Sequence, residues 1–194
     1  MMKKSRIIAI AAVAVVALYG IITYNSLARS AEEVDSAWAN VEAQYQRRSD
    51  LIPNLVTTVR GYANHERGTL TGVMAARLSA TAVKIEDSNM TEEQLSNYTK
   101  AQNRIGLALG RLIAVAENYP DLKANQNFLE LQAQLEGTEN RIAVERQRFN
   151  ESVKAYNKKI VSFPNNLLSS LFGFKKKVFF TSLQEAKSAP VVQF

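Results

Sequence analysis

Residues 46–56 read QRRSDLIPNLV. Whether this stretch is a corner or the middle of a rod decides the fold. As a corner, Arg47 and Arg48 sit in the last turn of a first helix, where cations oppose the negative end of its dipole. Asp50 then caps a second helix, and Pro53 falls in its first turn, where a missing N–H costs nothing. In a variant of the same corner, Ile52 leaves the helical region because a residue before proline resists it, and Pro53 opens the second helix. Both versions place a tight turn near residues 49–52. The other option is one helix kinked at Pro53. The expectation is the hairpin.

Working upstream, Val34, Trp38, Val41 and Tyr45 step by four, three and four, which is a helical stripe. Further upstream, IIAIAAVAVVALYGIITY (7–24) holds 18 residues without a charge. At about 1.5 Å per residue it covers about 27 Å, close to the hydrocarbon core of a bilayer. A cleaved signal peptide has a shorter apolar region, and SLARSA downstream is a poor cleavage site. The expectation is an uncleaved transmembrane anchor at 7–24. Lys3, Lys4 and Arg6 precede it, while Arg29, Glu32, Glu33 and Asp35 follow it. The positive flank stays inside, so residues 1–6 are a basic cytoplasmic N-terminus and the rest lies outside the cytoplasm. Tyr19 and Tyr24 suit the headgroup layer at the outer end.

Working downstream, Leu55, Val56, Val59, Tyr62, Leu70, Val73 and Met74 form the inward face of a helix expected to run to about Val83. KIEDSNM (84–90) reads as a connection. Thr91 and Gln94 form a capping box for a third helix, with Leu95, Tyr98, Gln102, Ile105, Leu109, Leu112 and Ala116 on its stripe. Pro120 stops it. In the fourth helix Phe128, Leu135, Ile142, Phe149 and Tyr156 recur every seven residues, ending near Pro164, and such a stripe needs a facing helix. The fold class is therefore all-α: an N-terminal transmembrane helix followed by an elongated antiparallel bundle of three to four long helices over 25–163. Residues 164–194 form a short amphipathic segment and a C-terminal tail, the latter either extended along the bundle or without order.

The chain has 194 residues, with 8 Gly, 4 Pro, one His and no Cys. Disulfides, zinc–thiolate sites and cysteine nucleophiles are excluded. The net charge is +6, half of it from Lys3, Lys4 and Arg6, so nucleic acid is not an expected partner. His65-Glu66 begins like a zinc-protease helix, but Thr69 stands where the second His would be. No G-x-S-x-G elbow exists. Gly68/Gly72 and Gly106/Gly110 suit close helix approach better than phosphate binding. The expectation is no catalytic residue, cofactor or metal, and no enzyme. Gln102, Glu66, Arg77 and Glu145 fall on or near apolar seams, as an interhelical network or, preferably, as margin residues with their heads in water.

PNNLLSSLFGFKKK (164–177) places Pro164, Leu167, Leu168, Leu171 and Phe172 on one face of a short helix, followed by Phe174, Lys175, Lys176 and Lys177. This segment either meets a membrane or partner surface or caps the bundle. AWANVEAQYQRRSDLIPNLVTTVRGYANHE, YPDLKANQNFLELQAQLEGTENRIAVERQRFNESVKAYN and FPNNLLSSLFGF together resemble the LemA family of bacterial membrane proteins over about residues 24–174. The resemblance implies an inner (cytoplasmic) membrane protein, single-pass, N-terminus inside, with its bundle outside the cytoplasm and no known activity or cofactor. Arg47, Arg48, Asp50, Pro53 and Asn54 belong to the core of that signature. It further implies a role in the envelope and a partner there, with a membrane metalloprotease as one candidate. The functional expectation is a non-enzymatic interaction or scaffold module. The alternative is a lipid-active protein that tethers or shapes membrane through 164–180. Self-association through the long heptad is a further partner reading.

Overall fold

The computed structural model describes residues 2–85 and 88–181. It is all-α among these residues. Six helices occur: α1 Met2–Tyr62, α2 Arg67–Thr81, α3 Glu92–Ala116, α4 Pro120–Lys123, α5 Gln126–Val161 and α6 Asn165–Leu171. The expected turn near 49–52 is absent. α1 runs without interruption through 61 residues with Pro53 inside it, a rod of about 90 Å. Arg47 and Arg48 therefore close no helix, and Asp50 and Pro53 start none. The reversal comes instead at residues 63–66, and the helix expected to reach Val83 is the end of α1 followed by α2.

An interior proline removes an N–H and leaves the carbonyl four residues back without its partner. Here that carbonyl belongs to Ser49, which is buried. Arg77 of α2 donates its Nε–H to the Ser49 carbonyl at 2.9 Å. The antiparallel neighbour thus supplies the hydrogen bond that Pro53 cannot. Arg77→Leu should cost about 1–3 kcal/mol, the usual range for an orphaned buried acceptor. In a Pro53→Ala background the restored amide can serve Ser49, and the cost should fall by about 1 kcal/mol or more. A four-member thermal-denaturation cycle measures this coupling; strict additivity would refute the role assigned to Arg77.

Beyond the turn, α3 starts at the expected capping box. Thr91 Oγ1 accepts from the Gln94 amide at 3.2 Å, and the Thr91 amide donates to Gln94 Oε1 at 2.7 Å. Asn125 caps α5 by accepting from the Phe128 amide at 3.0 Å. α5 returns antiparallel along α1. Asn125 meets Tyr62, Glu139 meets Arg48, Phe149 meets Trp38 and Lys159 meets Ser30.

Two cores form along the rod. The distal one joins Ile52, Leu55, Val59, Leu70, Val73, Ile105, Leu112 and Phe128, where α1, α2, α3 and α5 make four helices. The proximal one is built on Trp38, Tyr45, Tyr98, Phe149, Tyr156 and Phe180. There α2 has ended, and the loop after it and an extended segment at 174–181 cover the gap. Below both, the large apolar side chains from Ile7 to Ile22 are open to the surroundings. That part of α1 is long and apolar enough to cross a membrane.

Candidate functional site

The 46–56 stretch places its five signature residues on two turns of α1. Arg47, Asp50 and Asn54 are exposed, Pro53 is half-buried and Arg48 points inward. Residues 47, 50 and 54 share one helix face by their three- and four-residue spacing. Asp50 accepts from Gln46 Nε2 at 2.7 Å, so it pairs with neither arginine. Arg48, 4 % exposed at its side chain, lies between the two cores. Its Nη1 donates to Glu139 Oε1 of α5 at 2.8 Å. Its Nη2 donates to the Gln102 carbonyl and to Gln102 Oε1 of α3, at 2.9 and 2.7 Å. The guanidinium carbon stands 5.1 Å from the Tyr45 ring centroid, a cation–π distance. One side chain thus ties three helices at a single level.

The four seam residues do not form one network. Gln102 is a buried member of the Arg48 node, Arg77 bonds Ser49, and Glu66 Oε1 accepts from the Tyr119 hydroxyl at 3.5 Å. Glu145 pairs with the exposed Arg148 one turn away.

Beside this node, where α2 stops, a cleft of about 520 Å³ opens between α1 and α3. Glu42, Tyr45, Gln46, Ser49, Tyr98 and Gln102 line it. Burial pushes the Glu42 carboxyl up from its ordinary value. Burial also raises the phenols of Tyr45 and Tyr98. The Ser49 hydroxyl has no hydrogen-bond partner among the described residues. Lys84 also lines the cleft, and among the described residues no base is hydrogen-bonded to the Ser49 hydroxyl. His65 lies exposed in the α1–α2 turn. Among the described residues no group of His, Cys, Asp and Glu is arranged to hold a metal ion.

The raised phenols carry a pH prediction. The folded chain keeps the Tyr98 proton to higher pH than the unfolded chain, whose value is near 10.0. Its contribution is therefore whole below that pH and is lost as pH rises above it. Melting temperature should fall between about pH 10 and 11, and Tyr98→Phe should flatten the fall. An unchanged slope in that variant would refute the assignment.

At the proximal end, α6 stops in a left-handed turn at Gly173 (φ 77°). The Phe174 amide donates back to the Ser169 carbonyl at 2.9 Å and the Gly173 amide to Ser170 at 3.3 Å. Glycine serves here because a side chain resists that φ. The chain then climbs along α5. Asn157 and Asn150, two helical turns apart, each clamp its backbone by donating to one carbonyl and accepting from one amide, at Lys177 and Phe180 respectively. Phe180 enters the aromatic cluster of Trp38 and Phe149. The tail reading is thus the extended one as far as Thr181; residues 182–194 lie outside the described residues.

The expected surface at 164–177 is divided. Lys177 departs from it altogether: it is buried, pairs with Asp35 at 2.9 Å, and contacts Ser88. The backbone clamp turns its side chain inward, which charge patterning could not reveal. Leu168 and Phe174 are half-buried, the latter against Tyr24. Leu171, Phe172, Lys175 and Lys176 are exposed. The sequence reading missed Glu139, Asn150, Asn157, Asp35 and Ser88. Only the asparagines left a trace, each following a seam aromatic seven residues apart.

Residues 37–194 match a family model described as LemA family. The chain is also similar to magnetosome protein MamQ of Magnetospirillum gryphiswaldense, 28% identical over 203 residues, covering 93% of this chain and 74% of that protein. MamQ 1 of Paramagnetospirillum magneticum is 27% identical over 189 residues, covering 89% and 69%. Protein LemA of Metamycoplasma hominis is 24% identical over 145 residues, covering 75% and 63%.

Proposed function

Because the chain belongs to the LemA family, we propose that it is a non-enzymatic, single-pass protein of the bacterial inner membrane whose bundle stands outside the cytoplasm and binds another envelope protein. The observation that carries this reading is the continuity of α1. One helix includes both the apolar stretch and the bundle's longest seam. An anchor joined this way holds the bundle as a stiff rod rather than a tethered domain, which suits a scaffold. The exposed apolar side chains from Ile7 to Ile22 and the basic residues ahead of them support the anchor and its orientation.

The docking face in this proposal is the outward stripe of Arg47, Asp50 and Asn54, with the cleft beside it. These side chains are exposed among the described residues, unlike Arg48. A membrane metalloprotease is one candidate partner, and a second copy is another. The chain has no Cys, so single cysteines carrying a photo-crosslinker can be placed at 47, 50 and 54 in intact cells. A discrete adduct from these positions, and not from Val144 on the exposed face of α5, supports the reading. Equal or absent adducts overturn it. Protease accessibility in spheroplasts tests the orientation: a bundle protected there would overturn an external location.

A further inference from the structure

We propose that α6 lies in the headgroup layer of the same bilayer that α1 crosses, so that lipid covers the exposed side chains of Phe163, Leu167 and Leu171. This rests on the reading of 7–24 as a membrane span and adds a second membrane contact to it.

Depth is the first argument. Tyr19 donates its hydroxyl to Asn165 Oδ1 at 2.9 Å. Tyr24 packs on Phe172 and Phe174 with ring centroids 5.3 and 5.6 Å apart. Tyr19 and Tyr24 stand about 7.5 Å apart along the helix axis. Between them, Ile21 and Ile22 are 58 % and 66 % exposed, while Thr23 is buried. One side of α1 at this level is therefore covered by the α6 region while another faces outward with isoleucine. If those isoleucines are in lipid, a segment bonded at the same depth cannot stand in bulk water.

Chemistry is the second argument. Leu167 and Leu171, one turn apart on α6, are 63 % and 76 % exposed, and Phe163 just ahead of the helix is 82 % exposed. Residues 163–181 contain no acid. Arg29, Lys158, Lys175 and Lys176 are exposed around this end of the bundle. Apolar side chains at the interface with cations beside them suit anionic headgroups. The same geometry narrows the alternative of a membrane tether. Residues 177 and 180 are committed to the bundle, and α6 lies beside the span, so its contact is with its own bilayer.

The test uses the full chain reconstituted in vesicles of phosphatidylethanolamine and phosphatidylglycerol, with an environment-sensitive fluorophore on single cysteines. Leu167→Cys and Leu171→Cys probe α6, Val16→Cys reports the span, and Val144→Cys is the aqueous reference. Circular dichroism checks that each variant keeps its helix content. A shallow lipid-borne nitroxide should quench the α6 labels about threefold more than the Val144 label, and aqueous acrylamide should quench them about threefold less. Labels at 167 and 171 that match Val144, with Val16 still quenched by lipid, overturn the proposal and leave the anchor intact. A Val16 label quenched from water overturns the anchor, and this proposal with it.

Discussion

Replacing Arg48 by alanine should lower the unfolding free energy by about 3 kcal/mol, near the bottom of the range for breaking a buried ion pair. The low end applies because Glu139 is 42 % exposed at its side chain and can regain water. Gln102 cannot do so as easily: it is buried and would lose the donor to its Oε1. Arg48→Lys should recover only part of the loss. An ammonium is a compact donor without the planar fork that reaches Glu139 and Gln102 together. Arg48→Met with Gln102→Leu should come within about 1 kcal/mol of the parent, since removing both polar partners leaves little unsatisfied. Urea titration of the full chain in detergent, followed by circular dichroism, measures all three. An alanine variant within about 0.5 kcal/mol of the parent would mean that the node contributes nothing to stability.

Trp38→Ala should cost about 4 kcal/mol, within the usual range for truncating a buried aromatic residue. Trp38 is buried and lies 5.4 to 5.9 Å from the rings of Tyr98, Phe149 and Phe180. Those rings come from α3, α5 and the extended segment, so the cavity opens where three elements meet α1. Trp38→Phe should cost far less, about 1 kcal/mol. It keeps a ring in the cluster and drops an indole N–H that has no partner among the described residues. The same denaturation experiment checks both variants. Hydrogen exchange adds a local readout, because the Phe180 amide should exchange faster in the alanine variant. Equal losses for Trp38→Ala and Trp38→Phe would show that packing by the ring is not what holds this core.

The corner expected at residues 46–56 is absent, and the sequence itself carries a pattern against it. Leu27, Val34, Val41, Arg48 and Leu55 stand seven apart, and so do Trp38, Tyr45, Ile52 and Val59. The seam therefore keeps its register straight through Pro53, which a hairpin would break. The proline and the charges point to a corner because each is a local signal with a known preference. What neutralised the proline came from elsewhere in the chain. Arg77 lies 28 residues away and reaches Ser49 only after α2 has folded back. The true reversal, at Ala63–Glu66, follows Gly61 and includes Asn64, but no strong cap marks it.

Sequence by itself determined the helical class, the apolar stretch at the start of α1, the capping box at Thr91 and the α5 stripe. These rest on nearest neighbours and on the 3.6-residue period, which operate within one helix. Tertiary structure alone decided that α1 is unbroken, that Arg48 and Lys177 are buried while Arg47 and Lys176 are not, and that the last described residues climb α5 as an extended segment. In each case the deciding hydrogen bond or ion pair joins groups more than about one helical turn apart in sequence. A buried charge is tolerable only where a partner arrives to meet it, and here the partners Glu139 and Asp35 are brought by chain reversals that no local pattern specifies.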